Sequence, residues 1–418
     1  MIATVRRARR LEGVITLPGD KSISHRALIL GSIASGRSRL RGLSPGADVH
    51  STIRCLQELG AGFDGSMLEG CDLHGLHRAA GPLDCGNSGT TMRLLAGLLA
   101  AQDFESELTG DESLSRRPMD RVVTPLSQMG AQASWPPLRV GGKAPLHGTS
   151  YTIPVPSAQV KSAILIAGLF ADSPTSVSET VKTRDHTELM LRAMGATVEV
   201  DGLRVRVDPA TRLEPLDMEV PCDMSAAAFW FIAGSLVPGS RVRMPGTGVN
   251  PTRTAFVELL RGYGFKIGES NRRYVGGEPV ADLEVTSAPG LRPIQVNGDT
   301  AAEMIDELPV LAVAATQMPG KSVIAGAAEL RVKESNRIQA MEEGLTAMGA
   351  DITAVDDGWV INGPRVLEAA KVSAYGDHRV AMALAVAGLI ADGRTEIDRA
   401  ECVDISYPDF FDHLEYLC

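Results

Sequence analysis

The chain has 418 residues, 44% hydrophobic and 22% charged, a globular composition that excludes a single small module and a disordered or fibrous chain. Its 41 basic and 51 acidic residues leave a net charge of −10, which opposes nonspecific attraction to nucleic acid and to anionic membranes but permits a local basic pocket. Aromatic residues are only 4% of the chain, so Ala and Leu must do most of the packing and helices must approach closely.

Near the start, Arg6, Arg7, Arg9 and Arg10 imitate the basic end of a signal peptide, but Leu11 to Asp20 turns polar too soon to supply an apolar segment. A first strand at Val14 to Leu17 is expected instead. An Ala-rich apolar run of helical length then recurs: RALILGSIAS from Arg26, TMRLLAGLLA from Thr91, SAILIAGLFA from Ser162, SAAAFWFIAG from Ser225, ELPVLAVAAT from Glu307 and RVAMALAVAG from Arg379. Apolar residues cover these helices on nearly every face, so each is expected to be buried. All fall short of the roughly 20 residues that span a bilayer, so a cytoplasmic chain with no membrane partner is expected.

A short segment of roughly alternating pattern follows each run: RSRLRGL, FESELTG, TSVSET, SRVRMPG, KSVIAGA and RTEIDRA, all read as strands. A second helix comes next, ending in ELGA, QMGA, AMGA, GYGF and AMGA in the first five copies. This places Gly60, Gly130, Gly195, Gly264 and Gly349 at helix stops, where glycine supplies a left-handed cap. Hairpins follow, clearest in TVEVDGLRVRV around Asp201-Gly202 and DITAVDDGWVI around Asp357-Gly358.

The fold class is therefore α/β, with a unit of helix, strand, helix, strand, strand copied six times, three copies to a domain. Crossings near Gly19-Asp20 and Pro221-Cys222 divide the chain into a discontinuous domain, 1–19 with 222–418, and an inserted domain, 20–221. The strand at Val14 to Leu17 is expected to complete the sheet of the last copy. Cys55, Cys71, Cys85, Cys222, Cys402 and Cys418 form no C-x-x-C pair and are expected to be reduced thiols and not metal ligands.

The buried helices begin with DKSISHR, GNSGTTMR, PSAQVKS, CDMS, MIDE and YGDHR. Ser, Asn and Asp can be explained as caps. Lys and Arg cannot, because a cation is unfavourable at a helix N-terminus unless an anion sits there. The outer helices add RRPMDR at Arg116, TRDHTE at Thr183 and RVKESNR at Arg331, where Lys333 and Arg337, four apart, are expected to share a helical face beside Glu334. With Lys21, Arg26, Arg117 and Arg379 these point to a ligand carrying more than one phosphate or carboxylate. No P-loop, dinucleotide fingerprint or H-E-x-x-H occurs, so the anions are assigned to small substrates.

Eight segments in order, LPGDKSISHRAL from Leu17, DCGNSGTTMRLL from Asp84, RRPM from Arg116, PSAQVKSA from Pro156, TRDHTE from Thr183, MIDELPVLA from Met304, ELRVKESNRI from Glu329 and YGDHRVAMA from Tyr375, closely resemble the EPSP synthase family of enolpyruvyltransferases, almost end to end. The resemblance implies a two-domain inverse α/β barrel-like fold with the active site in the cleft between the domains. It implies transfer of enolpyruvyl from phosphoenolpyruvate to shikimate 3-phosphate, with no metal or organic cofactor, no nucleic acid partner and a monomeric state.

By the same resemblance, Lys21, Ser22, Arg26, Ser157, Ala158, Gln159, Arg184, Asp306 and Lys333 hold shikimate 3-phosphate. Lys21, Asn87, Gly89, Thr90, Arg117, Gln159, Arg337, His378 and Arg379 hold phosphoenolpyruvate. Lys21, Asp306 and Glu334 are the implied catalytic residues, while His25 and His186 are read as local hydrogen-bonding groups. The family is a target of glyphosate, which competes with phosphoenolpyruvate, and Gly89 fits its sensitive form. Ile405 stands where many members carry a lysine, Asn336 where Asp is frequent, and SAQ with TRDHTE resembles class II. Two alternatives stay open: the sibling that acts on a UDP-amino sugar, against which DKSISHR argues, and a noncatalytic anion-binding protein, against which Asp306 and Glu334 argue.

Overall fold

A helix that is apolar all round has no face to offer water, and each of the apolar runs solves this by burial. A computed structural model describes residues 1–142 and 146–418. These form two compact units, Gly19–Pro221 with Tyr274–Glu278, and Met1–Pro18 with Cys222–Arg273 and Pro279–Cys418.

In the Gly19–Pro221 unit the helices alternate between inner and outer positions: α1 (Lys21–Ser32), α2 (Ala47–Glu58), α3 (Gly89–Leu99), α4 (Asp120–Gln128), α5 (Ala158–Gly168) and α6 (His186–Ala193). The other unit holds α7 (Met224–Leu236), α8 (Ala255–Gly262), α9 (Gly298–Glu303), α10 (Leu308–Ala315), α11 (Arg337–Ala347), α12 (His378–Gly388) and α13 (Phe410–Leu417). The inner helices α7, α10 and α12 are buried along almost their whole length and pack on one another, as do α1 with α3 and α3 with α5. Outer helices bury one stripe; in α2 it comprises Val49, Cys55 and Leu56 among others. Gly60, Gly130, Gly195, Gly264 and Gly349 all take positive φ where the outer helices stop, as expected. No helix among the described residues is long and apolar enough to cross a membrane.

The repeat contains one strand more than the sequence pattern suggests. In the sheet ordered Leu83–Asp84, Glu105–Thr109, Leu138–Gly141, Gln132–Ser134, the strand ahead of α3 runs parallel to the strand behind it, and the hairpin adds two antiparallel strands. These leading strands span two or three residues, too few to display a period-2 pattern. Two of them are exchanged along the chain: Glu12–Val14, ahead of α1, pairs with Arg241–Gly248 behind α7, whereas Asp217–Glu219, ahead of α7, pairs with Arg37–Arg41 behind α1.

The sixth copy is truncated. After Arg394–Asp398 comes a 3₁₀ segment and then α13, with no hairpin. Its missing antiparallel neighbour is Ile2–Arg6, registered from Ile2 with Asp398 to Arg6 with Arg394. The expectation that Val14 to Leu17 would complete this sheet is therefore corrected. Ala3 and Val5 turn inward there, a pattern hidden among the surrounding arginines.

Small residues decide how closely the inner helices approach. A Cβ built on Gly97 of α3 would lie 2.3 Å from the Ala163 carbonyl oxygen and 2.7 Å from its Cα in α5, both backbone atoms that cannot rotate aside. Gly97→Ala is expected to destabilise the protein by about 1–3 kcal/mol through overpacking, whereas Gly262→Ala, where nothing lies within 4 Å, is expected to gain up to about 1 kcal/mol of helix propensity. Urea unfolding monitored by circular dichroism, with unchanged slope, checks both.

Candidate active site

Each charged cluster is built on helix starts. In α1 the Asp20 side chain accepts from the Ile23 N–H at 2.9 Å, making Lys21 the first helical residue. The Lys21 ammonium lies 3.0 Å from Asp48 Oδ2. One turn on, the guanidinium of Arg26 is buried and donates to Thr187 Oγ1, Ser162 Oγ and the Ser22 carbonyl, each at 2.8 Å. Arg184 donates to Ser22 Oγ at 3.0 Å. Burial and then the neighbouring Arg184 lower the Arg26 pKa to about 10, so it stays charged at neutral pH. Thr187, Ser162 and Ser22 offer neutral oxygens, which orient the Arg26 cation without cancelling its charge.

At the start of α3, Ser88 caps the Thr91 N–H at 3.1 Å and leaves Gly89 and Thr90 in the first turn. Ser157 does the same for α5 through Val160, presenting Ala158 and Gln159. The two starts are joined, because Gln159 Nε2 donates to Thr90 Oγ1 at 2.7 Å and its Oε1 accepts from Arg93 at 2.7 Å. Arg117 donates to Asn87 Oδ1 at 2.7 Å, and Asn87 donates to Asp111 at 2.6 Å. A Cβ on Gly89 would come within 2.6 Å of Arg93 Nη1 and 3.4 Å of Arg117 Nη1. The added methyl would thus press on a guanidinium.

In the other unit, Asp377 caps α12 by accepting from the Arg379 N–H at 2.9 Å, and its second oxygen accepts from Arg337 Nε at 2.7 Å and Ser335 Oγ at 3.2 Å. Arg337 opens α11 behind the Asn336 cap. Its Nη2 meets Glu334 Oε2 at 2.5 Å, and its Nη1 lies 3.6 Å from Asp306 Oδ1. Arg379 reaches the Asp306 carbonyl at 3.3 Å and its carboxylate at 3.9 Å. Burial opposes the Arg337 charge, but Asp377, Glu334 and Asp306 together outweigh it and raise the pKa above its ordinary value. His378 is the first residue of α12 and is buried.

Lys333 departs from the expected geometry. It follows the 3₁₀ segment Ala328–Val332 in extended conformation, before α11 begins, so it does not share a helical face with Arg337. Burial, opposed by Asp306 and reinforced by Arg337, lowers its pKa below the ordinary lysine value of 10.5. Ile405 ends the 3₁₀ segment Ala400–Ile405 and packs on the apolar core.

His25 Nδ1 lies 2.7 Å from Thr52 Oγ1, with its pKa pushed well down by burial, then by Lys21 and Arg26. His186 pairs with Glu278 at 2.8 Å, both side chains buried. These are the local hydrogen-bonding roles read from the sequence. Sequence reasoning missed Asp48 as the partner of Lys21, Arg93 as that of Gln159 and Asp377 as that of Arg337. Arg93 had left a signal, a lone cation inside an apolar run, and Asp377 stood in YGDHR but was read only as a cap.

In each unit, buried helix starts hold arginines or lysines close to carboxylates, a set of groups suited to handling anions. The family model described as EPSP synthase (3-phosphoshikimate 1-carboxyvinyltransferase) matches residues 5–414. The chain belongs to this family. It is 52% identical over 420 residues to the 3-phosphoshikimate 1-carboxyvinyltransferase of Gloeobacter violaceus, covering 97% of this chain and 96% of the relative, and 46% identical to that of Herpetosiphon aurantiacus, covering 99% and 98%. Among solved structures, EPSP synthase from Acinetobacter baumannii superposes with a TM-score of 0.88 at 39% identity, covering 100% of this chain and 98% of that one.

Asp377→Ala removes a fully buried carboxylate from a fully buried guanidinium. The expected cost is about 3–5 kcal/mol of folding stability, read as a lower urea midpoint. A loss below 1 kcal/mol would show that Arg337 does not depend on this partner.

Proposed function

We propose that the chain transfers the enolpyruvyl group of phosphoenolpyruvate to the 5-hydroxyl of shikimate 3-phosphate, giving 5-enolpyruvylshikimate 3-phosphate and inorganic phosphate on the route to chorismate and the aromatic amino acids. It acts as a cytoplasmic, monomeric enzyme on these small-molecule substrates. The observation that carries the reading is the pairing of Asp306 and Glu334 on one guanidinium, that of Arg337, with Arg379 also on Asp306. Two carboxylates and several cations are what a proton-moving reaction between polyanions requires.

Shikimate 3-phosphate is assigned to Lys21, Ser22, Arg26, Ser157, Ala158, Gln159, Arg184, Asp306 and Lys333. Phosphoenolpyruvate is assigned to Lys21, Asn87, Gly89, Thr90, Arg117, Gln159, Arg337, His378 and Arg379. The reading requires both sets to serve one pair of substrates.

Glu334 delivers a proton to the methylene carbon of phosphoenolpyruvate, which makes the neighbouring carbon electrophilic. The 5-hydroxyl oxygen attacks that carbon as Asp306 takes its proton. The tetrahedral adduct keeps the carboxylate and phosphate charges, which Lys21, Arg117, Arg337 and Arg379 stabilise electrostatically. Phosphate leaves, taking up the proton held by Asp306, as Glu334 removes a proton from the new methyl group and restores the double bond. Orienting Glu334 through Arg337 fixes one carboxylate for both methylene steps.

Purified protein is expected to release phosphate from phosphoenolpyruvate only when shikimate 3-phosphate is present. No release with that pair, or equal release with a UDP-amino sugar, would contradict the assignment. The pH profile supplies a second readout. Because burial lowers the Lys333 pKa, its ammonium is lost on the alkaline side at a lower pH than that of an exposed lysine. The KM for shikimate 3-phosphate should therefore climb on the alkaline side, and Lys333→Arg should move the climb to higher pH.

A further inference from the structure

Lys161 stands in PSAQVKSA yet has no part in the reaction above. Its side chain is 1% exposed, and it sits early in α5, where the helix dipole disfavours a cation. An ammonium so placed needs close counter-charge. It has two, Glu179 at 2.9 Å and Glu188 at 2.8 Å, both with side chains 2% exposed. A cluster of this kind could serve stability alone, but what it grips argues for more.

Lys161 Nζ also donates to the Thr183 carbonyl at 3.4 Å, and the Glu179 carboxylate accepts from the Thr183 N–H at 3.5 Å and from the Thr183 hydroxyl. Three polar atoms of Thr183 are thus held by one ion pair, and the next residue is Arg184, which reaches Ser22. On the other side, Glu188 follows Thr187, whose hydroxyl accepts from Arg26. Burial raises the Glu188 pKa and Lys161 opposes that rise, and Glu188 in turn supports the charge of Arg26.

We propose that Lys161, through Glu179 and Thr183, is a positioning residue that holds Arg184 in place to grip the phosphorylated substrate. The proposal rests on the assignment of Arg184 to shikimate 3-phosphate. A double-mutant cycle tests it, with the Kd for shikimate 3-phosphate measured by titration calorimetry on the full-length chain and folding checked by near-ultraviolet circular dichroism. Lys161→Met and Arg184→Ala are each expected to raise the Kd about tenfold, while the double variant binds no more weakly than Arg184→Ala alone. Lys161→Met should leave the KM for phosphoenolpyruvate within about twofold of its original value, a split that general loosening of the fold would not produce.

Additive losses in the double variant would overturn the proposal while leaving the site assignment intact. An unchanged Kd for Arg184→Ala would overturn the assignment of Arg184 and the proposal with it. If Lys161→Met does not fold, Glu179→Gln takes its place in the same cycle, with the same two outcomes.

Discussion

Burying a guanidinium is costly unless polar partners replace the lost water, and the choice of partners determines what the cation can still do. Arg337 is surrounded by the carboxylates of Asp377, Glu334 and Asp306, which fix it beside both proposed proton carriers. Arg26 is held by two hydroxyls and a carbonyl, which fix its plane and leave its charge outstanding. In the proposed reaction the first arrangement organises carboxylates for proton transfer, and the second takes the phosphate of shikimate 3-phosphate. The proposed division of labour between the two units follows from this difference.

The same constraint explains why the charged clusters of each unit stand at helix starts. A buried inner helix must end somewhere its first N–H groups find acceptors, and Asp20, Ser88, Ser157 and Asp377 supply them. Once the caps are in place, the residues one to four positions later are fixed in direction. Lys21, Gly89, Gln159 and Arg379 inherit their placement from the cap, and close packing such as that of Gly97 against Ala163 keeps the helices from drifting. Packing in the core and geometry at the site are thus linked through the same short segments.

The parts legible in the sequence were those with a long period or a distinctive residue. SAAAFWFIAG has no polar face and became the buried α7, and the glycines of ELGA and AMGA became left-handed stops. Leading strands such as Leu83–Asp84 were not legible, because two residues carry no periodicity, nor was the exchange of Glu12–Val14 and Asp217–Glu219, which depends on contacts distant in sequence. At the site, Lys333 and Arg337 looked like helix neighbours by spacing, but a 3₁₀ segment and the Asn336 cap lie across that spacing. Asp48 and Asp377 escaped notice because a carboxylate that serves a cation is written no differently from one that caps a helix.

The central claim is that cations held by neutral partners, as Arg26 is, wait for a phosphorylated ligand. Thermal unfolding of the purified protein with shikimate 3-phosphate, compared with shikimate at equal concentration, measures this most directly, since a ligand stabilises the folded state in proportion to its affinity. The account predicts a clear, concentration-dependent rise in Tm with shikimate 3-phosphate and almost none with shikimate. Equal shifts with the two ligands would show that the phosphate contributes nothing and would contradict the account.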